Sequence, residues 1–189
     1  MLLPSRDTYE ELVRDFVWNI LADFNMGRAV SDYWAARAPD RVCLEHFNPD
    51  GNHRHLTYGE LSHRSSSLAS ALLALGVSRG SRIAILLPQG RSVLTAHLAA
   101  YRLGAIAVPL AALFGVDALA YRLTDSGAKV LVTDAAGLAK TRQIAQPLPD
   151  LALTVSVDGT DGDALDWHAL LAQAAPDFTT VPTGPDDPA

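Results

Sequence analysis

Apolar residues in the first part of the chain fall at helical spacing. In TYEELVRDFVWNILADF, residues Tyr9, Leu12, Val13, Phe16, Val17, Ile20 and Phe24 recur every three or four positions, which predicts one amphipathic helix over the whole stretch. A second helix is predicted across AVSDYWAARA. The segment RVCLEHFNPDGNHRHLTY reads as two strands around the turn Pro49-Asp50-Gly51, a β-hairpin. Thr57-x-x-Glu60 then forms a capping box, in which each side chain satisfies a free backbone N–H at a helix start. The helix it opens carries Leu61, Leu68, Leu72 and Leu75 and stops at Gly76, a residue suited to the position after a helix.

From residue 82 the pattern alternates. RIAILL (82–87), AIAVP (105–109), KVLVTD (129–134) and LALTVSV (151–157) are continuous apolar runs of strand length. Between them lie the helical segments RSVLTAHLAAYRLG, VDALAYRLTDSG and AAGLAKTRQIA, and a last helix is predicted from about Ala164 to Ala174. Strands apolar on both faces and separated by helices predict an α/β fold, with a buried parallel sheet built from right-handed βαβ crossovers. The chain therefore divides into an N-terminal helical segment (1–40), an α/β body (41–175) and a linker (176–189). That last stretch ends on TGPDDPA, a turn-rich run of the kind found in linkers.

Composition narrows the function classes. With 49% hydrophobic and 19% charged residues, the 189-residue chain is not disordered. Its net charge of −6 comes without a basic stripe, which argues against nucleic acid as a partner. The longest apolar region, Ala96 to Val116, is interrupted by His97, Arg102, Gly104 and Pro109, so no membrane span is expected. The N-terminus has no apolar stretch of signal-peptide length, and a cytoplasmic location is the expectation. The single cysteine, Cys43, sits between Val42 and Leu44 and reads as a buried strand thiol.

An open parallel sheet binds ligands at the carboxyl ends of its strands. The loops there are PQGRS, LAALFG and AAGLAK, and none matches a dinucleotide or P-loop fingerprint. His53 and His55 share a strand face without completing a metal set, and DGTDGD (158–163) lacks the Gly and closing Glu of a calcium loop. Ser65-Ser66-Ser67 has no nucleophile elbow around it and reads as a small-residue packing or solvent face. No catalytic residue and no metal ligand is assigned.

The wording of two longer segments carries more. LTYGELSHRSSSLASALLALGVSRGSRIAILLP resembles the opening core motif of the adenylate-forming superfamily, and YRLGAIAVPLAALFGVDALAYRLTDSGAKVLVTD resembles the second. The likeness runs from about Tyr9 to Ala189. RDFVWNILADFNMGRAVSDYWAARAPDRV and Val108-Pro109-Leu110-Ala111 favour the branch of acetyl-, medium-chain acyl- and benzoyl-CoA synthetases over peptide-synthetase adenylation domains. Ser81 and Gln89 depart from the residues usual at those two turn positions.

The resemblance implies the N-terminal portion of the acyl-CoA synthetase-like fold. In such enzymes a carboxylic acid is activated with ATP and magnesium and passed to coenzyme A. DDPA resembles the lead-in to the family's phosphate loop, so the chain is expected to be the N-terminal third of an AMP-forming acid–CoA ligase, inactive alone, with the rest of the ligase chain as its partner. One binding role carries over: Leu113-Phe114-Gly115 and the basic Lys140 and Arg142 match positions beside the coenzyme A nucleotide, so weak coenzyme A binding is expected. Without the rest of the large domain an apolar face would be exposed, and either self-association, most simply as a two-fold homodimer, or strong binding of hydrophobic dye is expected. The rival readings are a non-catalytic binding or interaction module derived from this fold, and a flavodoxin-like nucleotide or flavin protein.

Overall fold

A computed structural model describes residues 5–47 and 51–189. In chain order it contains α1 (Tyr9–Asp15), a π-helical turn (Arg28–Asp32) running into α2 (Tyr33–Ala35), β1 (Val42–Phe47), β2 (His53–Thr57), α3 (Tyr58–Ala74), β3 (Arg82–Leu86), α4 (Arg91–Arg102), β4 (Ile106–Pro109), α5 (Val116–Ser126), β5 (Val130–Thr133), α6 (Ala135–Thr141), β6 (Leu153–Ser156), β7 (Leu165–Asp166) and α7 (Trp167–Gln173). Strands β1 and β2 pair antiparallel as a hairpin, and the other five form one parallel sheet in the order β4-β3-β5-β6-β7. Two of the hairpin-turn residues, Pro49 and Asp50, lie outside the described residues.

The continuous apolar strands have the cause anticipated for them. Ile83, Ile85 and Leu87 pack with Leu68 and Leu72 of α3, Ala96 and Ala99 of α4 and Trp167 of α7. Ala84 and Leu86 turn to the opposite face and meet Leu119 and Leu123 of α5 and Leu131. Because successive strand residues point to opposite faces, burial on both sides requires every position to be apolar. The chain enters the sheet at β3, steps to β4 on one side and returns to β5 on the other. Strand order therefore reverses around β3, where a crevice opens at the carboxyl ends of such sheets.

Local signals behave as chemistry dictates. Thr57 Oγ1 accepts from Glu60 N at 3.2 Å, and Thr57 N donates to the Glu60 carboxylate at 2.9 Å, completing the capping box. Helix α5 ends at Gly127, whose left-handed backbone (φ 58°) lets its N–H and the next one reach back to the last-turn carbonyls.

Three predicted features differ. The first helix stops at Asp15 and buries no residue, and residues 16–25 are not helical. Phe24 N–H is instead given to Thr183 O at 3.0 Å, and Phe24 O accepts from Thr183 Oγ1 at 2.6 Å. Helical spacing supports a helix only where a partner face covers the stripe, and here Val17, Trp18 and Ile20 remain 67–79% exposed.

The last stretch, predicted as a loose linker, is fastened to the body. Val181 N donates to Arg102 O (2.8 Å), Arg79 reaches Pro182 O (3.1 Å), and Arg79 also pairs with Asp187. Finally, the segment read as one helix from Ala164 begins with the two-residue strand β7. Only then does α7 start, capped by Asp166, which accepts from His168 N (2.6 Å) and Ala169 N (3.2 Å).

The N-terminal segment is held by Arg102, buried to 1% exposure at the end of α4. Its Nε donates to Ser65 Oγ (2.9 Å), Nη1 to Asp32 Oδ2 (3.0 Å) and Nη2 to Ser31 Oγ (2.8 Å), with a further close bond to Asp32 Oδ1. Ser62 Oγ donates to the same carboxylate at 2.6 Å. Gly27 lets this contact form, since a Cβ there would lie 2.8 Å from Arg102 Cγ and 3.0 Å from Leu98 O.

Two outcomes are expected. Arg102→Leu leaves the Asp32 carboxylate and its serines without their cation and should lower stability by about 3 kcal/mol, the scale for breaking a buried pair, as read by urea unfolding. The second concerns acid. Burial raises the Asp32 pKa, but Arg102, Ser62 and Ser31 outweigh it and hold the carboxyl below its ordinary 3.8. A depressed folded-state pKa contributes stability that is complete above 3.8 and drains away as pH falls below it. Acid unfolding followed by circular dichroism should therefore steepen below that pH, and Asp32→Asn should be less stable at neutral pH with a flatter acid limb.

Candidate functional site

Past the carboxyl end of β4 the ladder continues for one residue, with Leu110 N donating to Ile85 O at 2.9 Å. The chain then turns, Phe114 N donating to Ala111 O at 3.0 Å, and Gly115 opens α5. Leu113 at the tip is 96% exposed. Phe114 packs partly into the α5 and α6 side of the core, and the Arg122 guanidinium lies 4.1 Å from its ring centroid, close enough for cation–π attraction. Gly115 has an ordinary extended backbone, and a Cβ there would meet nothing within 4 Å. Neither strain nor packing demands glycine, and the space above it is open to a ligand.

Lys140 reaches this loop from the last turn of α6. Its Nζ donates to Ala112 O at 2.6 Å and to Phe114 O at 3.4 Å. Helix α6 is seated by Asp134, which accepts from Gly137 N at 2.7 Å, and by Gly137, where a Cβ would crowd Leu86 at 2.9 Å. Phe114, Gly115 and Lys140 thus form one cluster.

Arg142 does not join it. Residues two apart on a helix lie roughly 200° apart, and Arg142 turns to the β6–β7 loop, where it pairs with the Asp161 carboxylate and donates to Asp161 O at 2.6 Å. The paired Lys140–Arg142 clamp implied by their proximity in sequence is not assembled, because helical rotation separates them.

The remaining candidates have structural roles. His53 pairs with Glu45 and stacks on Phe47 (ring centroids 4.4 Å apart). Cys43 Sγ donates to Leu56 O at 3.2 Å, and burial pushes its thiol pKa up, away from reactivity. Ser65, Ser66 and Ser67 are buried, and Ser65 serves Arg102. Among the described residues no group of three His, Cys, Asp or Glu side chains is placed to hold a metal ion, and no helix is long and apolar enough to cross a membrane. Arg122 was missed in sequence, since no local pattern announces which ring a surface arginine will cover.

Comparison with known proteins agrees with this architecture. The model of the AMP-binding enzyme family matches residues 31–189. The acetyl-coenzyme A synthetase of Streptomyces avermitilis is 31% identical over 156 residues, an alignment spanning 74% of this chain and 24% of that relative. That of Rhodobacter capsulatus is 33% identical over 163 residues, spanning 78% and 25%. Among solved structures, a Brucella canis acyl-CoA synthetase superposes with a TM-score of 0.84 at 25% identity, covering 96% of this chain and 35% of that one. An anthranilate CoA ligase in complex with anthranoyl-AMP shares the fold at a TM-score of 0.80 and 24% identity, covering 89% and 32%. The chain spans about a quarter of the length of the curated relatives and about a third of these structures. With the parallel sheet, its loops and the match over residues 31–189 in agreement, the chain belongs to the AMP-binding enzyme family and corresponds to the N-terminal part of its acyl-CoA synthetases.

Proposed function

We propose that this chain is the N-terminal, coenzyme-facing portion of an AMP-forming acid–CoA ligase. The whole enzyme would condense a carboxylic acid with ATP to an acyl-adenylate and diphosphate, then transfer the acyl group to the thiol of coenzyme A with release of AMP. The observation that carries this reading is the family match over residues 31–189. ATP and magnesium would be handled by segments of the whole enzyme, because these 189 residues contain no glycine-rich phosphate loop.

The chain's own contribution would be to the coenzyme A nucleotide. Phe114 would offer an aromatic face to adenine once Arg122 moves off its ring, Gly115 leaves its backbone open to close approach, and Lys140 places a cation at the same loop, suited to the 3′-phosphate. To bind phosphate, Lys140 would exchange its bonds to the Ala112 and Phe114 carbonyls, and Arg142 would have to leave Asp161.

Two measurements test this. The 189-residue chain should show no acid-dependent ATP–diphosphate exchange with short, medium-chain or aromatic acids, since positioning and charge stabilisation of the transferring group require parts it does not contain. Measurable exchange would contradict the proposal. Coenzyme A should bind weakly, at a millimolar Kd equivalent to about −4 kcal/mol. Replacing Lys140 and Arg142 by Ala should weaken it by the roughly 1.5–3 kcal/mol of a charge-assisted contact. Calorimetric titration that finds equal affinities for coenzyme A and its dephospho form would remove both residues from the site.

A further inference from the structure

A hollow of about 370 Å³ opens on the other side of the sheet from Phe114 and Lys140. It lies at the carboxyl ends of β3 and β6, between the loop 87–92, Val157 and Asp158, and the hairpin. The carboxyl ends of the strands are where an open α/β sheet characteristically receives a ligand, and this hollow lies at that edge.

Its wall is cationic. Arg54 comes from the hairpin, Arg64 from α3 and Arg91 from the first position of α4, and His46 and His168 lie beside them. Five other arginines, Arg6, Arg14, Arg28, Arg79 and Arg142, are ion-paired at the surface, and Arg102 is paired in the interior. Arg54, Arg64 and Arg91 form no ion pair among the described residues, as is also true of Arg37, Arg41, Arg82 and Arg122, but these three line one hollow, with Glu60 acting on Arg64 from a distance. The Arg64 Nε is buried and bonded to nothing there. Asp158 is the acid on the wall, and its carboxylate is already engaged by Ala135 N at 2.9 Å.

The backbone adds to this charge. Helix α4 starts at Gly90 with no side-chain cap, so the first N–H groups of a 12-residue helix face outward with the positive end of its dipole. Gly90 has a positive φ of 155°, a conformation that favours glycine, and the His46 ring packs against it, a Cβ there falling 3.2 Å from Cε1. Burial, together with the neighbouring Arg91, also pushes the Arg64 pKa down from its ordinary value, against a smaller upward pull from Glu60.

We propose that this hollow is an oxyanion site, taking a phosphate or diphosphate group of a small molecule on Arg54, Arg64 and Arg91 at the start of α4. Guanidinium forks match the paired oxygens of such groups, and three of them from three separate elements would be drawn together by one ligand. The hairpin would then be tied to the sheet through the ligand, since Arg54 sits on β2 and Arg91 on α4. The site shares no residue with the Phe114–Lys140 cluster, so each can fail without the other.

The test is calorimetric titration of the full 189-residue chain with inorganic diphosphate, at ionic strength held constant with sodium chloride. Saturable binding at one site is expected. Arg54→Gln, on an exposed hairpin position where folding is not at stake, and Arg91→Gln should each weaken it by about tenfold, as loss of a charge-assisted contact implies. Arg64→Gln should do the same, with circular dichroism confirming its fold. Absence of saturable binding, equal affinity in the variants, or loss with Lys140→Ala in place of the arginine variants would each overturn the assignment.

Discussion

The buried contact between Arg102 and Asp32 is the constraint on which the N-terminal third depends. Arg102 ends α4, Asp32 ends the π-helical turn, and Ser62 and Ser65 belong to α3, so one guanidinium ties three separate elements. A charge at 1% exposure is tolerable only when paired and fully hydrogen-bonded. Every part of this arrangement therefore has to be in place together. Gly27 is part of it, because a side chain would push the helical turn off α4. So is the C-terminal stretch, whose Val181 N–H takes the Arg102 carbonyl while Asn25 bonds Val181 O at 3.0 Å.

The sheet behind this contact explains how the chain separates its chemistry. Alternate residues of β3 serve two cores, so the helices fall on two faces and the loops at the carboxyl edge open on two sides. On the α5 and α6 side, the exposed Leu113, the half-buried Phe114 and the reach of Lys140 make a small apolar and cationic ledge. On the α3 and α4 side, Arg54, Arg64 and Arg91 line a hollow at the carboxyl ends of β3 and β6. The first is the side proposed for an aromatic nucleotide end and the second the side proposed for a bare oxyanion.

Much of the body was legible from residue order. The four longer strands of the sheet, the hairpin and the helices α3 to α6 were readable because buried strands must be apolar at every position and surface helices must be periodic. The capping box at Thr57 and the stop at Gly127 were readable because their chemistry is local, within a few residues of chain. Phe114, Gly115, Lys140 and Arg142 were singled out through resemblance, and the meeting of the first three follows from the βαβ order that sets α5 and α6 on one face. Strand β7 was not readable, since two residues carry no period.

Tertiary structure alone decided whatever depended on distant partners. Residues 16–24 have a helix's spacing, yet the Phe24 backbone is taken by Thr183, 159 positions away. Lys140 and Arg142 are near neighbours in sequence, but helical rotation sends one to the β4–α5 loop and the other to Asp161. Arg54, Arg64 and Arg91 are scattered through the sequence and form a cluster only where a hairpin, a helix side and a helix start converge. Local pattern determines which elements form, because propensity, capping and periodicity act within a few residues. Which charges become neighbours, and which stay unpaired, is set by how those elements pack.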